Sequence, residues 1–276
     1  MSAEPLPAFV VHVPQPPLSQ YVECLWRAQG MTPHKRERVL PNAVVEVIIN
    51  LGSFHKVLER DDYSRVRLYR DSWVAGIQNR HLVIESVRET DLVGIRFRPG
   101  GAYALFGFPM SELADEVIEL DLIRRQRFAE LRERLLQADS TAASFRVVEA
   151  TLLESLDFAR SAHPAVAHLA DRIRAWEGAV RISELVEQVA LSHKRLMQLF
   201  QRDVGMTPKA LAQIYRFQSV LRRIAPERSP DWSSIAAECG YYDQPHLVHE
   251  FRRLSGLTPS EYVTSRLPNL NHTVIE

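Results

Sequence analysis

His193, Lys194, Met197, Gln198, Gln201 and Arg202 form one tight group of polar and flexible side chains, and Gln244, Pro245, His249, Arg252 and Arg253 form a second. Both groups interleave with apolar residues, Leu196, Leu199 and Phe200 in the first and Leu247 and Phe251 in the second. Leu-x-x-x-Phe sets two apolar side chains one helical turn apart, so it buries one helix face and frees the opposite one. The free faces then carry donors, acceptors and small apolar groups, which are the means of reading base edges in a major groove. Arg202 and Arg253 suit phosphate contacts, which supply affinity without sequence information. Capping of helix carbonyls is their competing structural role.

The elements that must position these groups repeat. Leu196, Phe200, Arg202, Gly205, Thr207 and Pro208 recur as Leu247, Phe251, Arg253, Gly256, Thr258 and Pro259, all at an offset of 51 residues. Six matches in one register, glycine and proline among them, mark a duplicated structural unit. In the first copy Ile182, Leu185, Val186 and Val189 form an amphipathic helix, Ala190-Leu191 the turn, and Ser192 the N-cap of the next helix. In the second, Trp232, Ile235 and Ala236 lead to Gly240 and Tyr241, and Asp243 is the cap at the same repeat position. Ser and Asp suit that position because their side-chain oxygens accept from free amides of the first turn. The Gly-x-Thr-Pro after each helix reads as a left-handed stop, a new cap and a proline in the next first turn. Pro208–Ile224 is then one long linking helix. If it spaces the two exposed helices by about 34 Å, one chain meets successive major grooves of a duplex.

The chain has 276 residues, 46% of them hydrophobic and 25% charged, which predicts more than one folded domain and little disorder. Its net charge of zero divides into about +2 for residues 165–276 and −2 for the rest. Position must therefore matter more than total charge for any anionic partner. Cys24 and Cys239 are far apart and make neither a zinc ribbon nor a redox pair. The N-terminus lacks the pattern of a secretory signal, and no apolar run is long enough to span a membrane, so the expected location is the cytoplasm.

The N-terminal part reads as β-rich. Ala8–Val13, Val44–Asn50, Val66–Tyr69, Ser72–Ile77, Leu82–Val87 and Leu92–Arg98 have strand character, and Val45, Val47 and Ile49 form one apolar face of a half-buried strand. After Arg98-Pro99-Gly100-Gly101 the spacing turns helical. Ser111 with Glu112 is a candidate helix start, and two helices separated near Asp139-Ser140 run on to Arg160. His163-Pro164 is a boundary. The expected organisation is α+β: a β-rich, barrel-like sensor over 1–110, a helical linking or dimerising region over 111–163, an all-α double helix-turn-helix domain over 164–268, and a tail over 269–276.

Over Pro164–Leu267 the sequence resembles the AraC/XylS family of transcription regulators. The likeness is strongest in Ile235–Tyr262, through Ile-Ala-x-x-x-Gly-Tyr, Phe251, Gly256-Leu-Thr-Pro259 and Tyr262. The resemblance implies a seven-helix domain with two helix-turn-helix units, an activator or other regulator of transcription, and base contacts from Lys194, Met197 and Gln198 and from Gln244, Pro245 and His249. His249 stands where arginine is common in that family, which implies a less guanine-dependent second half-site. Residues 20–160 resemble the sensor domain attached to some members, through Leu40-Pro41, Val74-Ala75-Gly76, Gly94-x-Arg96-Phe97 and Pro99-Gly100. The implied partners are double-stranded promoter DNA and a small-molecule effector, with RNA polymerase and a second copy of the chain as further candidates and no membrane.

Arg96 and Arg98 could hold an anionic effector, with Glu46, Trp73, Gln78 and Arg80 as further anchors, although pairing with carboxylates, core packing or surface exposure explains such residues more often. His246 and His249 have a metal-compatible spacing without a third ligand, so neither a metal nor another cofactor is expected. An enzymatic alternative joins a methyl-accepting thiolate to the same type of DNA-binding domain, as in some DNA-repair methyltransferases. It needs a zinc-bound thiolate cluster that two remote cysteines cannot form, and no hydrolase elbow, Walker loop or His-Glu-x-x-His motif is present, so the chain is expected not to be an enzyme. A scaffold that has lost base reading is the third reading.

Overall fold

The computed structural model describes residues 7–32, 34–85, 89–224 and 230–275, apart from the side chains of Arg124 and Arg125. In chain order the elements are β1 (Ala8–His12), β2 (Val22–Met31), β3 (Arg36–Val39), β4 (Val45–Asn50), β5 (His55–Glu59), β6 (Asp62–Tyr69), β7 (Ser72–Ala75), β8 (Leu82–Glu85) and β9 (Glu89–Phe97). There follow α1 (Gly101–Phe106), β10 (Val117–Glu119), α2 (Asp121–Leu136) and α3 (Thr141–Ser155). The remainder is α4 (Pro164–Ala175), α5 (Ile182–Glu187), α6 (His193–Val204), α7 (Pro208–Arg223), α8 (Trp232–Glu238), α9 (Gln244–Ser255), α10 (Pro259–Ser265) and β11 (His272–Val274). The fold is α+β.

Two antiparallel sheets make up the β-rich part, one in the order β1-β2-β9-β4-β7-β10 and the other β11-β3-β8-β5-β6. Alternation along the central strands divides the first sheet into two faces. Val45, Val47 and Ile49 of β4 join Leu25, Val93, Ile95 and Phe97 on one face, in a core that continues through α2 and α3 into the C-terminal helices. The other face carries Cys24, Trp26, Ile48 and Trp73, which meet Tyr69 and Val57 of the second sheet. Both faces of β4 are thus covered, although its alternating pattern predicts only one. Trp26 lies flat over Gly94, where a Cβ would fall 1.9 Å from its ring, so the glycine is what admits the indole.

Five strands lie outside the segments recognised from sequence: β2, β3, β5, β10 and β11. β2 escapes the period-two test because Cys24, Leu25 and Trp26 are consecutive and all buried, as happens when both faces of a strand are covered. Ser86, Val87 and Arg88, at the end of the expected Leu82–Val87 strand and before β9, lie outside the described residues. Ser111 and Glu112 do not begin a long helix. Met110–Glu112 is a single 3-10 turn, β10 follows, and α2 starts only at Asp121. The break at Asp139-Ser140 is present, with Ser140 capping α3 through the Ala143 amide.

β10 pairs with β7, so the first sheet reaches past residue 110 into the segment expected to be purely helical. The tail is not separate either. β11 pairs with β3 in the register His272↔Val39, Thr273↔Arg38 and Val274↔Glu37, and so returns the C-terminal end to the N-terminal sheet. His272 Nδ1 lies 2.8 Å from Glu37 Oε2 across that seam. Gln218 of α7 donates to the Pro41 carbonyl at 2.6 Å and to Asn271 Oδ1 at 2.7 Å, and the His81 amide donates to the Leu254 carbonyl at 2.8 Å. Each region is therefore held to the other by buried polar contacts as well as by the shared core.

Candidate nucleic-acid interface

The two candidate probe helices are built by the same local rules at the same repeat positions. Ser192 caps α6 by accepting from the Arg195 amide, and Asp243 caps α9 by accepting from the His246 amide at 2.8 Å. Gly205 (φ +96°) and Gly256 (φ +75°) end them in left-handed geometry that a side chain would strain. Thr207 and Thr258 then cap α7 and α10, each with proline at the helix start, and Thr258 forms a full capping box with Glu261. α6, α7, α9 and α10 thus begin in one 51-residue register, His193 against Gln244 and Pro208 against Pro259.

Burial follows the predicted stripes. Leu196, Leu199 and Phe200 of α6 and Leu247, Phe251 and Leu254 of α9 are fully or almost fully buried, with the Phe251 ring edge-on to Phe217 at 4.9 Å and to Tyr262 at 5.6 Å. At roughly 1.5–3 kcal/mol for each large apolar side chain taken from water, these anchors fix the rotation of each helix about its axis. His193, Lys194, Gln198 and Gln201 on α6, and Pro245, His249, Arg252 and Arg253 on α9, are exposed. Met197 is half-buried against the core. Gln244 is exposed and receives a hydrogen bond from the Ser233 hydroxyl at 3.0 Å, while Arg253 donates to Gln213 Oε1 at 3.3 Å. The side chains of Lys194, Gln198, Gln201, His249 and Arg252 have no hydrogen-bond partner among the described residues.

Arg202 is engaged by neighbouring groups. Its Nε donates to Asp203 Oδ1 at 2.6 Å and its guanidinium lies 5.0 Å from the centre of the Tyr103 ring on α1. Asp203 is fully buried and also accepts from the His163 amide at 2.8 Å. The arginine thus joins α6 to the N-terminal region while its side chain stays 36% exposed, because a buried carboxylate needs a cation beside it. Its repeat partner Arg253 has no such carboxylate beside it and stays exposed.

Beside α6, residues of α6, α7 and the segment leading into α5, among them Val180, Ile182, His193, Met197, Lys209 and Gln213, line an open groove of about 390 Å³. Lys209 is exposed on α7 beside it, and Arg195 on α6 and Tyr242 in the turn before α9 are exposed as well, the last at 92%. The sequence reading treats α7 as a spacer and omits all three. The signal for Tyr242 is its place next to the Asp243 cap, outside the buried periodicity.

The N-terminal candidates do not converge on one pocket. Glu46 Oε1 accepts from Arg96 Nε at 2.8 Å and from Trp26 Nε1 at 3.1 Å, while burial is the largest influence on Arg96 and opposes its charge, with Glu46 holding the charge in place. Arg98 donates to the Ser19 carbonyl, Trp73 packs against His55 and Tyr69, and Arg80 is exposed. Gln78 donates to the carbonyls of Gly76 and Glu116. Glu46 and Gln78 share a cavity of about 30 Å³, room for a water and not for an effector. The six candidates are accordingly found in ion pairing, core packing, backbone bonding or solvent, the alternatives open to them from sequence.

Among the described residues no cluster of three metal-ligating side chains occurs and no helix is long and apolar enough to cross a membrane. Cys24 and Cys239 are both buried free thiols, each pushed up from its ordinary value chiefly by burial.

Comparison with known proteins matches two separate stretches of the chain. Residues 10–119 match the family described as a domain of unknown function (DUF6597), and residues 185–265 match one described as a helix-turn-helix domain. The chain is 30% identical over 83 residues to a probable transcriptional regulator, LumQ, of Photobacterium leiognathi, covering 30% of this chain and 33% of that protein. It is 29% identical over 85 residues to an HTH-type transcriptional regulator of Mycobacterium tuberculosis, covering 31% and 32%. It thus spans about a third of the length of the curated relatives it matches. Among solved structures, ToxT from Vibrio cholerae O395 aligns over 87% of this chain and 95% of its own at 10% identity, with a TM-score of 0.45. This chain carries a C-terminal helix-turn-helix domain of the AraC type behind an N-terminal DUF6597 domain.

Proposed function

We propose that the chain is a sequence-specific DNA-binding regulator of transcription that sets α6 and α9 into major grooves of promoter DNA. The observation that carries this reading is the pair of capped helices in one 51-residue register, each with a buried Leu-x-x-x-Phe stripe and an exposed polar face. Lys194, Met197, Gln198, Gln244, Pro245 and His249 are the proposed base readers, and His193, Gln201, Arg252 and Arg253 the flanking contacts. The curated relatives, both described as transcriptional regulators, support a regulatory role over an enzymatic one.

Control belongs to the N-terminal region in this reading. The Arg202–Tyr103 and Gln218–Pro41 contacts give it a mechanical hold on α6 and α7, through which a bound small molecule or a second protein, RNA polymerase included, would bias the helices. Such an effector would have to open the β-rich interior, where Trp26 and the Glu46–Arg96 pair now fill the space. The expected location is the cytoplasm, where promoter DNA is accessible to a bacterial-type regulator.

The test is selection of duplexes from a random pool on the purified chain, followed by affinity measurement at several salt concentrations. A selected sequence should bind far more tightly than random DNA, with affinity falling as salt rises because counterions are released from the phosphates. Equal affinity for selected and random duplexes refutes the reading.

A further inference from the structure

α7 joins the two probe helices, and its composition is more than a spacer needs. Its 16 residues include Lys209, Arg216, Arg222 and Arg223 and no Asp or Glu, in a chain of net charge zero. Three of these cations are engaged: Arg216 holds Glu250, and Arg222 and Arg223 hold Glu177. Lys209 is exposed and has neither an ion-pair nor a hydrogen-bond partner among the described residues. Lys209, Gln213 and Arg216 are four and three residues apart, so they share one face of the helix.

That face runs between the two probe faces. On one side it walls the open groove of about 390 Å³ that also touches His193 and Met197 of α6. On the other it meets α9, where Arg253 donates to Gln213 Oε1 at 3.3 Å. Since His193, Lys209 and Arg253 are all exposed, one solvent-facing surface continues from α6 over α7 to α9. The groove has Lys209 and Gln213 on one wall and the apolar Val180, Ile182 and Met197 on the others. A phosphodiester strand has the matching character, because charged phosphates alternate along it with apolar sugar rings.

We propose that α7 is a third DNA-contacting element: the sugar–phosphate strand between the two half-sites lies in this groove, and Lys209 holds one of its phosphates. The proposal rests on the seating of α6 and α9 in major grooves. Two probe helices in successive major grooves on one side of a duplex leave the intervening minor groove facing whatever joins them. Phosphates flank that groove and its negative potential deepens as it narrows, so an acidic linker would be repelled and a lysine drawn in. A free apolar ligand would match the apolar walls but not an acid-free helix beside them. Gln213 has a positioning part, since its amide is committed to Glu250 and to Arg253 and so holds Arg253 toward the same strand. A phosphate contact carries no base identity, so Lys209 adds affinity and leaves base choice to α6 and α9.

The experiment measures binding of the full chain to its selected duplex with single neutral methylphosphonate linkages placed in turn between the half-sites. One such linkage should weaken the unsubstituted protein about tenfold, and Lys209→Ala much less, because the contact is already gone. Lys209→Ala should also lower the slope of log affinity against log salt by about 1 with the melting temperature unchanged, and Lys209→Arg should restore the slope. Both variants should select the same bases at both half-sites. Central linkages that tolerate neutralisation while base selection persists overturn the proposal and leave the regulatory reading standing. Equal losses in the unsubstituted protein and in Lys209→Ala assign the strand to another cation and overturn it too. Failure of the unsubstituted protein to select any sequence refutes the reading beneath both, and shows before Lys209 is changed.

Discussion

Arg216 on α7 grips Glu250 on α9 through two parallel hydrogen bonds, Nε to Oε1 at 3.2 Å and Nη2 to Oε2 at 2.9 Å. Gln213 adds a third donor to the same carboxylate at 2.9 Å, and the guanidinium lies 4.6 Å from the centre of the Tyr241 ring. The linking helix is thereby tied to the second probe helix at a side chain that is almost wholly buried.

Removing the cation should cost more than the ion pair contributes, because the carboxylate stays behind without its partner. Arg216→Ala is expected to destabilise the C-terminal region by about 3–5 kcal/mol in urea unfolding. Arg216→Lys keeps the charge but loses the fork, and should fall between the two. An unchanged midpoint for Arg216→Ala would show the pair to be dispensable.

The two exposed classes on the probe faces should separate in binding assays. Gln198→Ala is expected to cost ~1–3 kcal/mol on the selected site and relax preference at one base position. Arg253→Ala, reaching for phosphate, should weaken selected and random duplexes alike and lower the slope of log affinity against log salt by about 1. Identical behaviour of the two variants would remove the division of labour.

Arg202→Ala tests whether that residue ties α6 to the N-terminal region or reaches phosphate. Since Arg202 is engaged by Asp203 and Tyr103, its loss should leave the salt slope of DNA binding unchanged. Stability should fall by ~1–3 kcal/mol, because a buried carboxylate loses a charged donor. A reduced salt slope with unaltered stability would restore the phosphate role.

Acid sensitivity follows from two buried imidazoles. His55 is pushed down to about 4 by burial, and His81 to about 4 by burial first and then by the nearby Arg38 and Arg60. Each is ordinarily near 6.5, so between those values the unfolded chain binds protons that the folded chain refuses. The stability they contribute is complete above about 6.5 and is lost as pH falls through about 4. Thermal melts from pH 7 to pH 4 should show a falling midpoint, shallower in His55→Gln/His81→Gln. The contact of His81 with Leu254 and Gly256 places part of this loss at the second helix-turn-helix unit.

Deleting residues 272–276 should loosen the two regions from each other. The truncation removes the β11–β3 ladder and the His272–Glu37 contact. Faster amide exchange in β3 than in the central strands β4 and β9 is the expected signature, and unchanged β3 protection would contradict it.

The double helix-turn-helix was legible in the sequence because its determinants are local. A cap, a Leu-x-x-x-Phe stripe and a left-handed glycine each act within a turn or two, and duplication printed them twice in one register. The faces of α6 and α9 followed directly, since one buried stripe defines its opposite. The β-rich region was legible only as a class. Its longest strand, β2, hides its period by being covered on both faces, and the partners of β10 and β11 lie far away in the chain.

Arg202 and Arg253 show where local rules stop. They occupy the same repeat position, but Arg202 is followed by Asp203 where Arg253 is followed by Leu254, and only the fold buries that carboxylate and gives it its further partner, the His163 amide. The tertiary fold brings Tyr103 beside the first, whereas the second is exposed and donates to Gln213 of α7, so one ties α6 to the N-terminal region and the other stays on the outer face. The same holds for Glu46 and Arg96, which neutralise each other across neighbouring strands β4 and β9. The sequence by itself determined which helices form and which side of each is apolar. Only the tertiary structure decided which charges meet, because pairing depends on distances between segments that the linear order does not contain.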